Sequence, residues 1–235
     1  MNIKEFLSAG GQQFLPNLSI DHVIIGYKND QLKCLLLQIG EKWLLPGGFV
    51  KKDESVDQAA IRILKERTNL ENPHLKFLSV FGDRDRQFAN HWKQLLKKFE
   101  IPWRKDYWMN DRFVTLAFYS LVNIDEVDPQ AGSGHDAVSW FSFDQLPDIW
   151  MDHQSIMMKA RNRLKEDIKQ EQITYNLLPN QFTMPELHKL YQIVLEEELD
   201  RSRFQKKMLS SGKFERLPKK IKESPGRNPY QYRLK

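Results

Sequence analysis

Three groups of residues have the types and spacings to do chemistry. The first is the carboxylate pair Glu54 and Glu66, with Arg62 between them. Mg²⁺ demands near-octahedral oxygen coordination, and two-metal phosphoryl chemistry needs enough negative charge to hold both ions. Ile63 and Arg67 lie beside these carboxylates, one apolar and the other cationic, and add no oxygen donor. No catalytic residue and no metal ligand follows from it. The second group is the run Phe81-Gly82-Asp83-Arg84-Asp85-Arg86. Guanidinium forks partnered by aspartate bind phosphates or vicinal hydroxyls, which makes Asp83, Arg84, Asp85 and Arg86 candidates for holding a small-molecule effector. An exposed charged turn closed by its own salt bridges has the same composition. Gly47 and Gly48, after Pro46, and His135, in the run Gly132-Ser133-Gly134-His135-Asp136, complete the candidate effector set.

The third group is cationic. Residues 1–150 hold 18 Lys and Arg against 20 Asp and Glu, a net of −2, whereas residues 151–235 hold 18 against 11, a net of +7. From Asp200 to the end the balance is 12 against 3, or +9 in 36 residues. A bias that strong in a terminal segment points to a polyanion, nucleic acid first. A disordered basic tail would carry the same charge, but the apolar pattern of this region argues for a folded one.

The chain is long enough for one medium and one small domain. Its hydrophobic content of 40% and charged content of 29% are those of an ordinary globular protein. No run approaches the roughly 18–20 apolar residues of a membrane span, and the stretch Met1 to Phe6 lacks the basic and apolar regions of a signal peptide. Cys34 is the only cysteine and sits in an apolar run, which excludes an intrachain disulfide and a cysteine-based zinc site. A reducing, cytoplasmic location is the expectation.

Apolar runs at 23–27 and 32–37 flank the polar turn Lys28-Asn29-Asp30-Gln31, as in a hairpin of buried strands. Trp43-Leu44-Leu45 reads as a strand stopped by Pro46-Gly47-Gly48. From Glu54 to Arg67, Val56, Ala59, Ala60, Ile63 and Leu64 fall at the spacing of one buried helix face. Strands follow at 75–81, 113–122 and 137–141, with a long loop or short helical insert over 83–111 and a turn of helix near Asp144 to Pro147. Asp152 to Ile168 predicts an amphipathic helix through Ile156, Met157, Ala160 and Leu164. The polar stretch Gln170 to Pro179 predicts a domain boundary.

Beyond it, Thr183-Met184-Pro185-Glu186 has the form of a capping box with proline in the first turn. Leu187, Leu190, Tyr191, Val194 and Leu195 make the apolar stripe of the helix it opens. After Glu196-Glu197-Glu198-Leu199, Asp200 caps a second helix, with Phe204, Met208 and Leu209 inward and Arg201, Ser202, Arg203, Gln205, Lys206 and Lys207 outward. Two helices joined by a short turn, the second cationic, match a helix-turn-helix with its recognition helix. Strands at 214–217 and 230–234 enclose a basic wing. Lys213, Lys219, Lys220, Arg227 and Asn228 join the helix residues as candidate DNA contacts, lysines to phosphate and Arg, Gln and Asn to phosphate or base edges.

The segment Gly48 to Leu70 resembles the Nudix box: Gly48, five residues, Glu54, seven residues, Arg62, then Leu64, Glu66 and Leu70. It departs from the box where Ile63 and Arg67 replace glutamates and Asn69 replaces a glycine. A Nudix-like domain fused to a C-terminal winged helix resembles the Nudix-related transcriptional regulators of the NrtR and AraR type, and the run from Phe182 to Leu209 looks like that family's DNA-binding signature. The resemblance implies an α+β protein. Residues 1–150 form a Nudix-like α/β/α sandwich that senses an effector, 151–180 a connecting helix and linker, and 181–235 a winged helix-turn-helix domain. It further implies a homodimer on double-stranded operator DNA, with no cofactor and no enzymatic activity.

The heavily altered box leans toward the sugar-sensing branch, with L-arabinose or another pentose as effector of a repressor of sugar catabolism. ADP-ribose, in NAD metabolism, is the alternative effector. An active Nudix ADP-ribose pyrophosphatase whose basic tail binds RNA is the reading from a different class. The C-terminal charge generates a prediction of its own. Each phosphate contact releases condensed counterions, so a dimer making about 6–10 contacts should lose on the order of 10³–10⁵ in DNA affinity between 50 and 200 mM salt. A flat salt titration would contradict it.

Overall fold

One long strand organises the first part of the chain. In β1 (Phe14–Lys28), successive side chains point to opposite faces of the sheet. Ile20 and Ile24 are buried on one face, and Val23 and Ile25 on the other. The N-terminal half of β1 pairs antiparallel with β4 (Gly47–Lys51) and its C-terminal end with β2 (Gln31–Ile39). Along its other edge β1 runs parallel to β6 (Val114–Val122), which pairs antiparallel with β5 (His74–Phe81). β3 (Lys42–Leu44) and β7 (Ala137–Ser142) complete the seven strands by pairing with β2. This computed structural model describes residues 3–69, 74–131, 136–171, 176–221 and 228–235.

Helices cover both faces. On one lies α2 (Val56–Thr68), opened by a capping box in which Ser55 accepts from the Gln58 N–H, with Ala59, Ala60, Ile63 and Leu64 buried. On the other lies α4 (His153–Glu171), whose residues Ile156, Ala160, Leu164 and Ile168 recur every fourth position and are buried against Val23, Ile25, Leu36 and Leu121. The Tyr119 hydroxyl donates to the Asp167 carboxylate, a buried tie between the sheet and the far end of α4.

The same apolar cluster continues without a break into the C-terminal part. There α5 (Met184–Leu195) and α6 (Arg201–Ser210) pack beside a three-stranded sheet ordered β8 (Phe182–Thr183), β10 (Tyr230–Leu234), β9 (Phe214–Lys219). Leu187, Leu190, Val194, Phe204 and Met208 are buried in the cluster that holds the α4 stripe. The architecture is thus an α/β/α sandwich followed by a winged helix-turn-helix.

Three local expectations need correction. The boundary expected over Gln170 to Pro179 is not a solvated linker at its end, because Leu177 and Leu178 are buried in the common core. Leu209 is 42% exposed rather than inward, since Phe204 and Met208, four residues apart, already occupy the inner stripe of α6. Asp144 to Pro147 form a turn, not helix; the chain then runs out beside β3, where Trp43 exchanges backbone hydrogen bonds with Asp148 and Trp150. The region 83–111 holds a helical insert, as expected, in the ten-residue helix α3 (Ala89–Lys98), and an unanticipated α1 (Ile3–Gln13) packs near it around Leu7, Leu96 and Met109.

His22 is fully buried beside the Ala60 backbone and the Phe118 ring, and desolvation lowers its pKa to about 3. The folded chain therefore holds His22 neutral while the unfolded chain protonates it below about 6.5, so this contribution to stability is present above that pH and is lost as pH falls. Denaturation at pH 5 should show about 2 kcal/mol less stability from His22 than at neutral pH. His22→Leu should flatten the pH 6.5–5 profile correspondingly; an unchanged slope would rule this origin out.

Candidate nucleic-acid interface and sensor cleft

The box residues are locked to one another. Arg62 forks onto Glu54, Nε to Oε2 at 2.9 Å and Nη2 to Oε1 at 2.6 Å, donates to the Phe49 carbonyl at 3.0 Å and reaches Glu66 at 3.2 Å. The Arg62 hydrogen bonds hold the Glu54 carboxyl at a pKa of about 2. Arg67, in a glutamate position of the box, is half-buried and donates to the Ala131 carbonyl at 2.5 Å. Asn69 takes the left-handed conformation (φ 56°) that ends α2, a role open to asparagine as well as glycine, and donates to Asp128 at 3.0 Å. Among the described residues no three His, Cys, Asp or Glu are grouped to hold a metal ion. This donor set does not suit Mg²⁺, because Ile63 and Arg67 supply no oxygen donor where the box has carboxylates.

Gly47 and Gly48 sit where side chains would collide: a Cβ on Gly47 would lie 2.6 Å from Asp21 Oδ1, and one on Gly48 2.9 Å from Ile63 Cδ1. Both glycines therefore let β4 lie close to β1 and α2. Asp83, Arg84 and Asp85 project from the loop after β5 and are exposed. Arg86 differs from the expectation of a ligand-binding fork. It is buried, with Nε and Nη2 on Asp152 (2.8 and 3.2 Å), Nη1 on the Phe113 carbonyl (3.2 Å) and Asp21 at 3.6 Å. Its charge is compensated inside the protein, so it ties the loop to the residue that precedes α4. His153, the first residue of α4, accepts from the Leu45 N–H through Nδ1 at 2.9 Å, and burial lowers its pKa. His135 lies outside the described residues.

In the C-terminal unit, Thr183 accepts from the Glu186 N–H, and the Glu186 carboxylate accepts from the Thr183 N–H at 2.7 Å. Asp200 caps α6 by accepting from the Arg203 N–H at 2.7 Å. Phe204 packs edge-on against both His188 and Tyr191, which sets the angle between α5 and α6. The outer face of α6 then presents Arg201, Ser202, Arg203, Gln205, Lys206 and Lys207, all exposed. On the wing side Lys213, Lys219 and Lys220 are exposed, Asn228 is half-buried, and Arg227 lies outside the described residues. Lys220 forms an ion pair with Glu186 at 3.1 Å. Arg216, which the sequence reading missed, stacks over the Tyr230 ring at 3.3 Å on the same strand pair. Its alternation with Leu217 in β9 was the available signal.

Residues 19–160 match the model of the NUDIX domain. The chain belongs to the NUDIX family. Residues 174–234 match the NrtR DNA-binding winged helix domain, so the NUDIX chain has the two-part organisation of the Nudix-related transcriptional regulators. It is 26% identical over 206 residues to a protein of Acinetobacter baylyi named ADPR responsive transcriptional repressor NtrR, covering 84% of this chain and 74% of that one. The crystal structure of Shewanella oneidensis NrtR complexed with a 27mer DNA is similar at a TM-score of 0.74, with 25% identity over 93% of each chain. A MutT/nudix family protein from Enterococcus faecalis is similar at a TM-score of 0.67, with 25% identity, covering 100% of this chain and 94% of that one.

The buried cluster of this NUDIX domain gives a stability test. Arg86→Ala leaves Asp21 and Asp152 without their cation, and breaking a buried pair this way costs about 3–5 kcal/mol. Urea denaturation measures it. A loss below about 1 kcal/mol, the range of exposed pairs, would mean that the cluster does not hold the loop to α4.

Proposed function

We propose that this chain is an ADP-ribose-responsive, DNA-binding repressor whose NUDIX domain senses its ligand without hydrolysing it. The observation that carries the proposal is the cationic outer face of α6, capped by Asp200 and braced by Phe204, on a winged helix of the NrtR type. A helix so presented fits the major groove, with Arg203 and Gln205 able to reach base edges and the wing lysines placed for phosphate. Two copies, one per half-site about 34–36 Å apart, are the simplest way to use it, so the working unit is a homodimer on a two-fold operator.

The effector reading changes from the pentose expected above to ADP-ribose. The responsiveness named for the Acinetobacter relative favours ADP-ribose. Asp83, Arg84 and Asp85 are the exposed residues of the sensor loop with suitable chemistry, a guanidinium for pyrophosphate and carboxylates for ribose hydroxyls. Hydrolysis is disfavoured because Ile63 and Arg67 stand where the box has glutamates. No helix is long and apolar enough to cross a membrane among the described residues, which fits a cytoplasmic regulator.

Fluorescence anisotropy with a duplex selected by the protein from a random library tests the reading. ADP-ribose should weaken binding by about 5–150-fold, the usual range of allosteric coupling, whereas L-arabinose should not. Arg203→Ala or Gln205→Ala should relax sequence preference, and Lys219→Ala should weaken all sequences alike. Incubation with Mg²⁺ or Mn²⁺ should release no AMP from ADP-ribose above background. Turnover abolished by Glu66→Gln, or DNA binding indifferent to ADP-ribose, would overturn the proposal.

A further inference from the structure

The turn between α5 and α6 is the most acidic part of the winged helix, Glu196-Glu197-Glu198, in a region otherwise dominated by cations. Glu196 adopts φ 57°, ψ 36°, a left-handed conformation that favours glycine or asparagine at a helix C-terminus and disfavours a glutamate backbone. A strained residue of this kind persists when its surroundings over-determine it. Here the side chain reaches back to α4: Arg161 Nη2 lies 2.6 Å from Glu196 Oε1, and Lys165 Nζ lies 2.6 Å from Oε2. Lys169, one turn further on, is 3.6 Å from Glu197. Arg161 is itself held to the sensor by Asp144 at 3.0 Å and by the Phe143 ring beneath its guanidinium.

We propose that Glu196, clamped by Arg161 and Lys165, is a positioning residue that fixes the recognition helix α6 relative to the NUDIX domain. The clamp acts four residues before Asp200, the cap of α6, and His188 ties the same turn to α5 by a 2.8 Å contact with the Leu199 carbonyl. A shift of α4 is therefore delivered to the start of α6 through the turn. At its other end α4 is preceded by Asp152, held by Arg86 of the sensor loop, so a ligand on that loop has a direct route to the clamp. This inference rests on the DNA-binding reading above for its consequence, and on distances within the free chain for its geometry.

The decisive variant is Glu196→Gly, which removes the clamp while relieving the backbone. Spin labels on cysteines replacing Asp57 of α2 and Lys206 of α6, both exposed positions, report the distance between the two units in the full chain, Cys34 being buried. The expected result is a narrow distribution with Glu196, at least twofold broadening in Glu196→Gly and in the double variant Arg161→Gln/Lys165→Gln, and near-native width in Lys165→Arg. The thermal midpoint of Glu196→Gly should equal or exceed that of the native chain. Affinity for the selected duplex should fall at least fivefold in the first two variants. An unchanged distribution in both would overturn the inference, and tighter DNA binding with that unchanged distribution would assign Glu196 to charge alone. If the native chain selects no duplex, the DNA-binding reading fails, and the distance distributions still decide whether the clamp exists.

Discussion

The constraint on which the rest of this structure depends is that one helix, α4, is buried by two partners at once. Its stripe Ile156, Ala160, Leu164 and Ile168 belongs to a single cluster that also contains Val23 and Leu121 of the sheet and Leu187, Leu190 and Val194 of the winged helix. Burying an aliphatic side chain is worth about 1.5–3 kcal/mol, so separating the two units would expose several such residues together. A small winged helix gains from this arrangement, because a domain of that size buries too little apolar surface to be robust alone.

The charged groups are distributed around that core in two energetic classes. Arg86, Asp21 and Asp152 are buried to differing degrees and mutually dependent, so each is costly to leave unpaired. The pairs of Lys165 with Glu196 and Lys220 with Glu186 lie nearer the solvent, where an ion pair contributes about 0–1 kcal/mol. Pairs of the second class do little for stability and more for orientation. They also neutralise acidic side chains of the winged helix, where unpaired carboxylates would oppose a polyanion.

The box shows how packing constrains the residues of α2. α2 keeps the capping box, the buried face and the close approach of Gly48 that the sandwich needs. Ile63 fills the space against Gly48, and Arg67 closes onto the Ala131 carbonyl. Ile63 and Arg67, at glutamate positions of the box, thus both serve packing. A fold does not dictate a function; the side chains at its sites do.

Much of this protein was legible in its amino acids taken in order. The α2 and α4 stripes, the apolar run of β6, the capping box at Thr183, the Asp200 cap and the basic terminus are all local signals. They determined the elements and the winged helix, while the sandwich followed from the resemblance of Gly48 to Leu70 to the Nudix box. What the tertiary structure alone decided concerns partners distant in the chain. It turned Arg86 inward to Asp152, 66 residues away, rather than toward a ligand. It buried Leu177 and Leu178 in a stretch that reads as linker, left Leu209 at the surface, and bent Glu196 back to α4. The physical reason is that periodicity and caps record what the backbone needs from its neighbours in sequence, whereas the role of a charged side chain depends on which opposite charge lies within about 4 Å, and only the packed fold determines that.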